Sequence, residues 1–208
     1  MPRYFYQTFI DMRSLAVLFF LFAFSGQLLA QNPSDYYYEI PAAPAEFTAG
    51  TVAGRTVDGL GFRFYWATAG LRPEDLSFKP TEESRSTEHT IDHIYNLSMI
   101  VMNATKKEAT NFPIDIEGLS FDEKRSAILG FLRTASENLK AASDADFADF
   151  KMIFKYENGS SNEWPFWNEL NGPLADALWH TGQVVMLRRM SGNPFDSNVS
   201  VLEGKRRD

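Results

Sequence analysis

The sequence predicts an all-α fold, a four-helix bundle. Four long stretches each place their apolar residues on one stripe at helical spacing. No alternating strand pattern extends beyond a few residues. The chain has 208 residues, of which 44% are hydrophobic, enough for one compact domain and too few for two. Four helices with one apolar stripe each are expected to pack around a shared core.

The first two helices follow from capping and periodicity. Residues 46–69 form the first predicted helix, although its four glycines weaken a straight helix and favour close approach of a neighbour. Residues 71–83 are punctuated by prolines and predict a loop. Ser86 or Thr87 is then suited to cap a second helix that runs to about Thr105.

The last two helices carry their own start signals. Residues 106–119 are predicted to be a loop, and Ser120 with Glu123 forms a capping box that opens the third helix. Residues 143–170 are predicted to be irregular, with an ambiguous short strand at 150–156. Pro173 fits the first turn of the fourth helix, which is expected to end near Gly192.

The N-terminus resembles an export signal. From Met12, a favoured start codon, an Arg precedes an apolar core from residue 15 to residue 24 and a small-residue cleavage site at Ala30. The alternative is an uncleaved anchor, but the apolar core is shorter than the ~20 residues a spanning helix needs. We therefore expect a signal peptide at 1–30 and an exported protein, periplasmic or secreted, with no membrane association after cleavage.

Three further segments complete the predicted organisation. Residues 31–45 contain three prolines and predict an extended leader on the domain surface. Residues 46–194 hold the helical domain, and residues 195–208 are expected to be a C-terminal tail whose end, residues 204–208, is solvated.

Composition excludes several classes of function. The net charge is −7 and there is no basic cluster, which argues against nucleic acid as a partner. The absence of cysteine excludes disulfides, thiolate metal sites and cysteine nucleophiles. Homodimers are common among helical bundles, but the sequence names no interface and leaves the oligomeric state open.

A metal site is the most specific chemical prediction. The chain has three histidines, His89, His93 and His180, and all three lie on predicted helices. Asp176 precedes His180 by four residues, so both side chains share one helix face. With His93 on a facing helix, two imidazoles and one carboxylate can hold a divalent ion, Fe, Zn or Ni, with coordination positions left open.

Simpler explanations exist for each of these residues. Asp176 lies in the first turn of a helix, where the dipole favours a carboxylate. His93 and His180 are each compatible with a hydrogen-bonded core histidine. His89 is expected to be exposed, and its contribution as a second ligand from the same helix stays open.

Three motifs together resemble the DinB-like superfamily across residues 46–194. They are LRPEDLSFKP at 71–80, EHTIDHIYNL at 88–97 and DALWHTGQVVMLRRMSGNP at 176–194. The resemblance implies an up-down-down-up bundle with one His ligand from the second helix and two from the fourth. His93 and His180 match two of these places, and Asp176 stands where the family has its other His. The Arg that often follows the last His is Thr181 here.

The resemblance also implies a function, a metal-dependent transferase or hydrolase similar to the bacillithiol S-transferases. In such enzymes the ion lowers the pKa of a small thiol, which then attacks an electrophile. Aromatic residues are expected either to wall a small-molecule pocket or simply to pack the core: Tyr65, Trp164, Phe166 and Trp167. Export argues against thiol chemistry, because such thiols are cytoplasmic. Whether the protein is an enzyme is therefore open, and the alternative is a non-catalytic binding or structural bundle with a degenerate metal site.

Overall fold

The structure is a computed structural model that describes residues 36–208. The predicted signal peptide and the start of the leader lie outside this range. The described chain is mostly helical. Its helices are α1 (Ala49–Thr68), α2 (Pro73–Ser77), α3 (Thr87–Thr105), α4 (Phe121–Ala141), α5 (Phe166–Glu169) and α6 (Ala175–Met190). Its strands are β1 (Ala109–Phe112), β2 (Lys151–Tyr156), β3 (Ser161–Pro165), β4 (Val199–Ser200) and β5 (Lys205–Arg206).

The four long helices share one apolar core. Helix α1 packs against α4 and α6, and α3 packs against the same two helices. Each long helix contributes fully buried side chains to this core, among them Leu60, Ile94, Leu132 and Val184. The four predicted long helices are therefore confirmed as elements. Among the described helices, none is both long and apolar enough to cross a bilayer.

Two of the predicted helix starts are confirmed in detail. The Ser86 hydroxyl accepts a hydrogen bond from the backbone N–H of His89 at 3.1 Å, which caps α3. At α4, Ser120 and Glu123 form the reciprocal capping box, with the Ser120 backbone N–H donating to Glu123 Oε2 at 2.8 Å.

The all-α prediction is wrong in one respect, because the chain also forms two small sheets. Strand β2 pairs in parallel with β1 and antiparallel with β3, and β4 pairs with β5. The physical reason is an apolar edge of α3 that the other helices leave uncovered. Met152 of β2 packs there against Ile100 and Ala104, so the sheet extends the core sideways.

A short helix precedes the fourth long helix. The chain is helical at α5 and enters a π-helical turn, Leu170–Leu174, but Gly172 has a non-helical backbone (φ −98°, ψ −109°), which makes a kink between α5 and α6. Pro173 directly follows the kink, in the first turn of the helical segment that continues as α6. This is the first-turn position predicted from the sequence, where the missing N–H of a proline costs no helical hydrogen bond.

The leader and the tail are more closely attached than predicted. Tyr37 is fully buried against Gly61, where an added Cβ would clash with the tyrosine ring. The backbone N–H of Ile40 donates to the carbonyl of Gly204 at 2.7 Å. Residues 195–208 thus form the β4–β5 hairpin beside the leader instead of a solvated tail.

Candidate metal centre

His93, Asp176 and His180 come together in the fold, although 83 positions separate the first two. Asp176 lies between the histidines: its Oδ2 is 3.1 Å from His93 Nε2, and its Oδ1 is 3.3 Å from His180 Nε2. One ligand-capable atom from each residue lies within 4.8 Å of the other two. Across residues 36–208 this is the only such group of three His, Asp or Glu side chains.

The three residues lie at the solvent edge of the contact between α3 and α6. Their side chains are 33% (His93), 43% (Asp176) and 13% (His180) exposed. Ala177 and Thr181 of α6 face the core. Asp176 and His180 each precede one of these residues by one position, so they lie at the boundary of the core.

Charged contacts fix α3 beside the site. Lys124 of α4 is largely buried, and its Nζ lies 2.7 Å from Asp92 and 3.5 Å from Glu88. Asp92 directly precedes His93 in the sequence. The ammonium group therefore holds the first two turns of α3 in place without occupying the three-residue cluster.

Helix α6 is fixed at its other end by Arg188. The buried guanidinium donates to the backbone carbonyls of Trp66 and Ala67 at 3.1 and 3.0 Å, where α1 ends. These carbonyls would otherwise lack intrahelical donors. Arg188 also donates to the Asn193 carbonyl at 2.8 Å. The register of α6, and with it the position of Asp176 and His180, is thereby tied to α1.

Gln183 contacts the ring nitrogen of His180 that faces away from the cluster. His180 Nδ1 lies 2.7 Å from Gln183 Oε1, and the tautomer that carries its proton on Nδ1 donates it to this oxygen. In that neutral tautomer, Nε2 presents a lone pair to the Asp176 carboxylate at 3.3 Å. Two acceptors at that distance repel each other unless a cation lies between them, either a proton on Nε2 or a metal ion.

The donor set and its spacing fit a divalent ion. Ligand atoms at about 2.0–2.1 Å from one ion lie about 2.8–3.4 Å apart at octahedral or tetrahedral angles. Asp176 meets both histidines at distances within that range. Imidazole nitrogen with carboxylate oxygen suits Zn, Fe and Ni. The arrangement can therefore hold an ion with His93, Asp176 and His180 as ligands.

The remaining candidates from the sequence lie elsewhere. His89 is exposed one turn before His93 and does not belong to the cluster. Tyr65 packs against Tyr38 and Trp66. Of the aromatic residues proposed to wall a pocket, only Trp164 lies in a cleft that reaches Asp176; Phe166 and Trp167 line a different cleft.

The cleft beside Asp176, called the Asp176 cleft below, has a volume of about 590 Å³. It lies between α3, the β2–β3 hairpin, the π-helical turn and the start of α6. The residues that line it and were missed in the sequence include Asn168, Asn171 and Trp179. No local pattern marks them, because the cleft depends on the hairpin and on the π-helical turn.

Comparison with protein-family models, with curated proteins and with solved structures finds no match to this chain. The resemblance to DinB-like proteins thus stays a prediction that rests on the three sequence motifs.

Proposed function

We propose that this protein binds one divalent metal ion through His93, Asp176 and His180 and, with that ion, acts on a small molecule. The observation that carries the proposal is the position of Asp176 between two imidazoles at 3.1 and 3.3 Å. Gln183 supports it, because its bond to His180 Nδ1 directs the Nε2 lone pair toward the same place.

We also propose the up-down-down-up arrangement of DinB-like bundles for the four long helices. Residues 106–120 join α3 to α4 and can span about 50 Å when extended. Helix α3 has 19 residues and is about 28 Å long. The connection is therefore long enough to return along α3, so that α4 can run parallel to it. The parallel pairing of β1 with β2 also requires long connections.

Three protein ligands leave coordination positions for a substrate or water. A bound divalent ion supplies Lewis acidity, which polarises a carbonyl or lowers the pKa of a coordinated water or thiol. The chain's own contribution is to orient the ligands and keep one side of the cluster open to solvent. A transferase or hydrolase reaction on a small molecule fits this arrangement, and thiol S-transfer is the version that the resemblance favours. Export of the protein, also a proposal, favours substrates other than cytoplasmic thiols.

A non-catalytic binding or structural role is the second candidate. It is favoured by the same two contacts of Asp176. If His93 and His180 each carried a proton on Nε2, both contacts would be ordinary charge-assisted hydrogen bonds. In that case the cluster would join α3 to α6 without an ion.

Elemental analysis of the purified protein after incubation with Zn²⁺, Ni²⁺ or Fe²⁺ tests the proposal. We expect about one ion per chain, lost in His93→Ala and in Asp176→Ala. His89→Ala is the matched control, because it removes an exposed histidine one turn away on the same helix and should keep the ion. Protein that takes up no ion, or retains it in both ligand variants, would leave the structural role as the conclusion.

Gln183→Ala provides a finer test of the same site. Removing the partner of a metal-bound histidine typically weakens metal affinity about 10–100-fold. We expect a loss of that size by competition with a chromophoric chelator. An unchanged affinity would show that Gln183 does not orient His180 in the metal-bound protein.

A further inference from the structure

We propose that the Asp176 cleft binds a flat, neutral aromatic molecule that carries an amide or similar polar group, with its polar end toward the metal centre. The placement of the polar end rests on the proposed function; the cleft itself does not. The volume of about 590 Å³ is within the range of roughly 300–1,000 Å³ found for small-molecule pockets.

The inner wall of the cleft is apolar. Leu97 and Ile100 of α3 line one side, and Met152 and Phe154 of β2 line another. Leu97, Ile100 and Met152 are buried beneath the cleft, so they form a fixed floor. Such a surface favours a ligand body that is itself apolar.

Two exposed tryptophans flank this floor. Trp179 of α6 is 72% exposed, and Trp164 of β3 is also exposed. Large aromatic rings left in water contribute nothing to the core, and in a cleft they offer flat surfaces for stacking. Two such rings favour a planar ligand, which can stack on them, over a branched one.

Asn168 and Asn171 supply polar groups on the same cleft. Neither side-chain amide makes a hydrogen bond to another residue within the described range, and both line the cleft. Each amide offers donors and an acceptor, so the pair can bind a ligand group that also has both. A carboxamide meets this requirement and stays neutral at all working pH values.

Charge selects further among ligands. Asp176 is the only ionisable side chain among the residues lining the cleft, and no Lys or Arg lines it. An anionic group would therefore find no cationic side chain along the cleft walls, where Asn168 and Asn171 are neutral partners. A cationic group would be repelled by the ion that Asp176 helps to bind. The walls of the cleft therefore suit a neutral ligand, and the ion excludes a cationic one.

Calorimetric titration of the full-length, Zn²⁺-loaded protein with 2-naphthamide tests the inference. We expect saturable binding to one site, and Trp179→Ala should raise the dissociation constant about tenfold. Trp167→Ala is the matched control, because Trp167 is 76% exposed but lines a different cleft. Equal affinity in both variants, or no binding by the unaltered protein, would overturn the proposal.

A second variant distinguishes a loss of binding from a loss of folding. Asn171→Ala removes an exposed amide from the cleft and should also weaken binding severalfold, with an unchanged circular dichroism spectrum. If neither Trp179→Ala nor Asn171→Ala changes the affinity, the naphthamide binds somewhere else and the proposal fails.

Paramagnetic relaxation separates this inference from the metal proposal. In protein loaded with Co²⁺, the naphthamide protons nearest the amide group should relax fastest, and Zn²⁺-loaded protein should lack this effect. Binding without enhanced relaxation would overturn the orientation toward the metal. Protein that takes up no ion but binds naphthamide through Trp179 would overturn the metal centre and leave the cleft as assigned.

Discussion

Asp58 and Asp176 are both helix carboxylates in contact with cationic or potentially cationic partners, yet their surroundings differ completely. Asp58 on α1 is fully buried and contacts Ser136 Oγ at 2.6 Å and Lys140 Nζ at 2.5 Å. Its third partner is the hydroxyl of Tyr37, at 3.4 Å. Asp176 is 43% exposed, and within the described chain its recorded side-chain partners are two histidines.

The difference lies in whether the donors are permanent. Lys140 is charged and Ser136 always carries its proton, and burial together with the Asp58 charge raises the pKa of the Tyr37 hydroxyl well above its ordinary value. Asp58 is therefore satisfied by the fold alone. The histidines beside Asp176 donate only when protonated there, so the same contacts can be made by an ion. The candidate metal centre is therefore the place where the hydrogen bonds of a carboxylate depend on the protonation of its histidine partners.

Replacement of Asp58 should have the largest effect on stability. Asp58→Ala leaves Lys140 without its counter-ion and the buried Tyr37 hydroxyl without an acceptor, which should lower the free energy of unfolding by about 3–5 kcal/mol. Urea denaturation measures the change, with Glu157→Ala, at an exposed carboxylate, as the control. A loss below about 1 kcal/mol would remove the distinction between the two aspartates.

Replacement of Asp75 should have the second-largest effect on stability, and this effect should depend on pH in the acid range. This buried carboxylate accepts from Arg72 at 2.8 Å, Ser191 at 2.6 Å and Asn193 at 2.7 Å. The Arg72 guanidinium holds the pKa of Asp75 well below its ordinary value of 3.8. The unfolded chain therefore takes up a proton before the native state does, and the contribution of Asp75 is lost as pH falls below about 4.

Asp75→Asn should accordingly cost about 2 kcal/mol at pH 7, since hydrogen bonds to a charged group are lost. The difference from the unaltered protein should shrink at pH 3. Urea denaturation at both pH values measures it, and a difference that stays constant would mean that the charge of Asp75 does not contribute.

Glu169 contrasts with Asp75, because no basic side chain is among the causes of its pKa shift. It is almost fully buried, and its Oε2 has no hydrogen-bond partner within residues 36–208. Burial raises the pKa of Glu169 well above its ordinary value of 4.5. The native state therefore keeps a proton that the unfolded chain releases, so stability should fall as pH rises above about 4.5.

Glu169→Gln should remove this dependence and stabilise the protein by about 1–2 kcal/mol at pH 8, with little change at pH 4.5. Thermal denaturation at the two pH values measures the effect, and Glu157→Gln serves as the exposed control. Identical pH profiles for the unaltered protein and Glu169→Gln would contradict the assignment of a neutral, buried acid.

Asp176→Ala should have the smallest effect on the metal-free protein, below about 1 kcal/mol, because its contacts are partly exposed. Zinc should raise the melting temperature of the unaltered protein and leave that of the variant unchanged. If Asp176→Ala strongly destabilised the metal-free protein, Asp176 would be a structural residue like Asp58.

The sequence was informative wherever a local signal decides the structure. Ser86 and Ser120 carry cap signals that need only four residues to read, and both helix starts are confirmed. Asp176 and His180 share a helix face by spacing alone, and the structure brings His93 to them. Whether they hold an ion stays a prediction.

The features that were missed depend on distant parts of the chain. Residues 109 to 112 form a strand only because 153 to 156 lie alongside, and four residues are too few to signal a strand by themselves. Their partner β2 was predicted only as an ambiguous short strand at 150–156. The exposure of Trp179 follows from the rotation of α6, which packing against α1 and α3 sets. The short helix α5 and the kink at Gly172 were also missed, since no local pattern requires a helical turn before Pro173.

The π-helical turn at Leu170–Leu174 has a consequence for insertions and deletions. Helix α6 is anchored through Arg188 on one side of the turn, and β3 is held by its pairing with β2 on the other. The loss of one residue would therefore have to be taken up between these two anchors, at the kink of Gly172. Asn168, Asn171 and Pro173 line the Asp176 cleft in this segment. A chain one residue shorter there could keep all four long helices while losing the cleft.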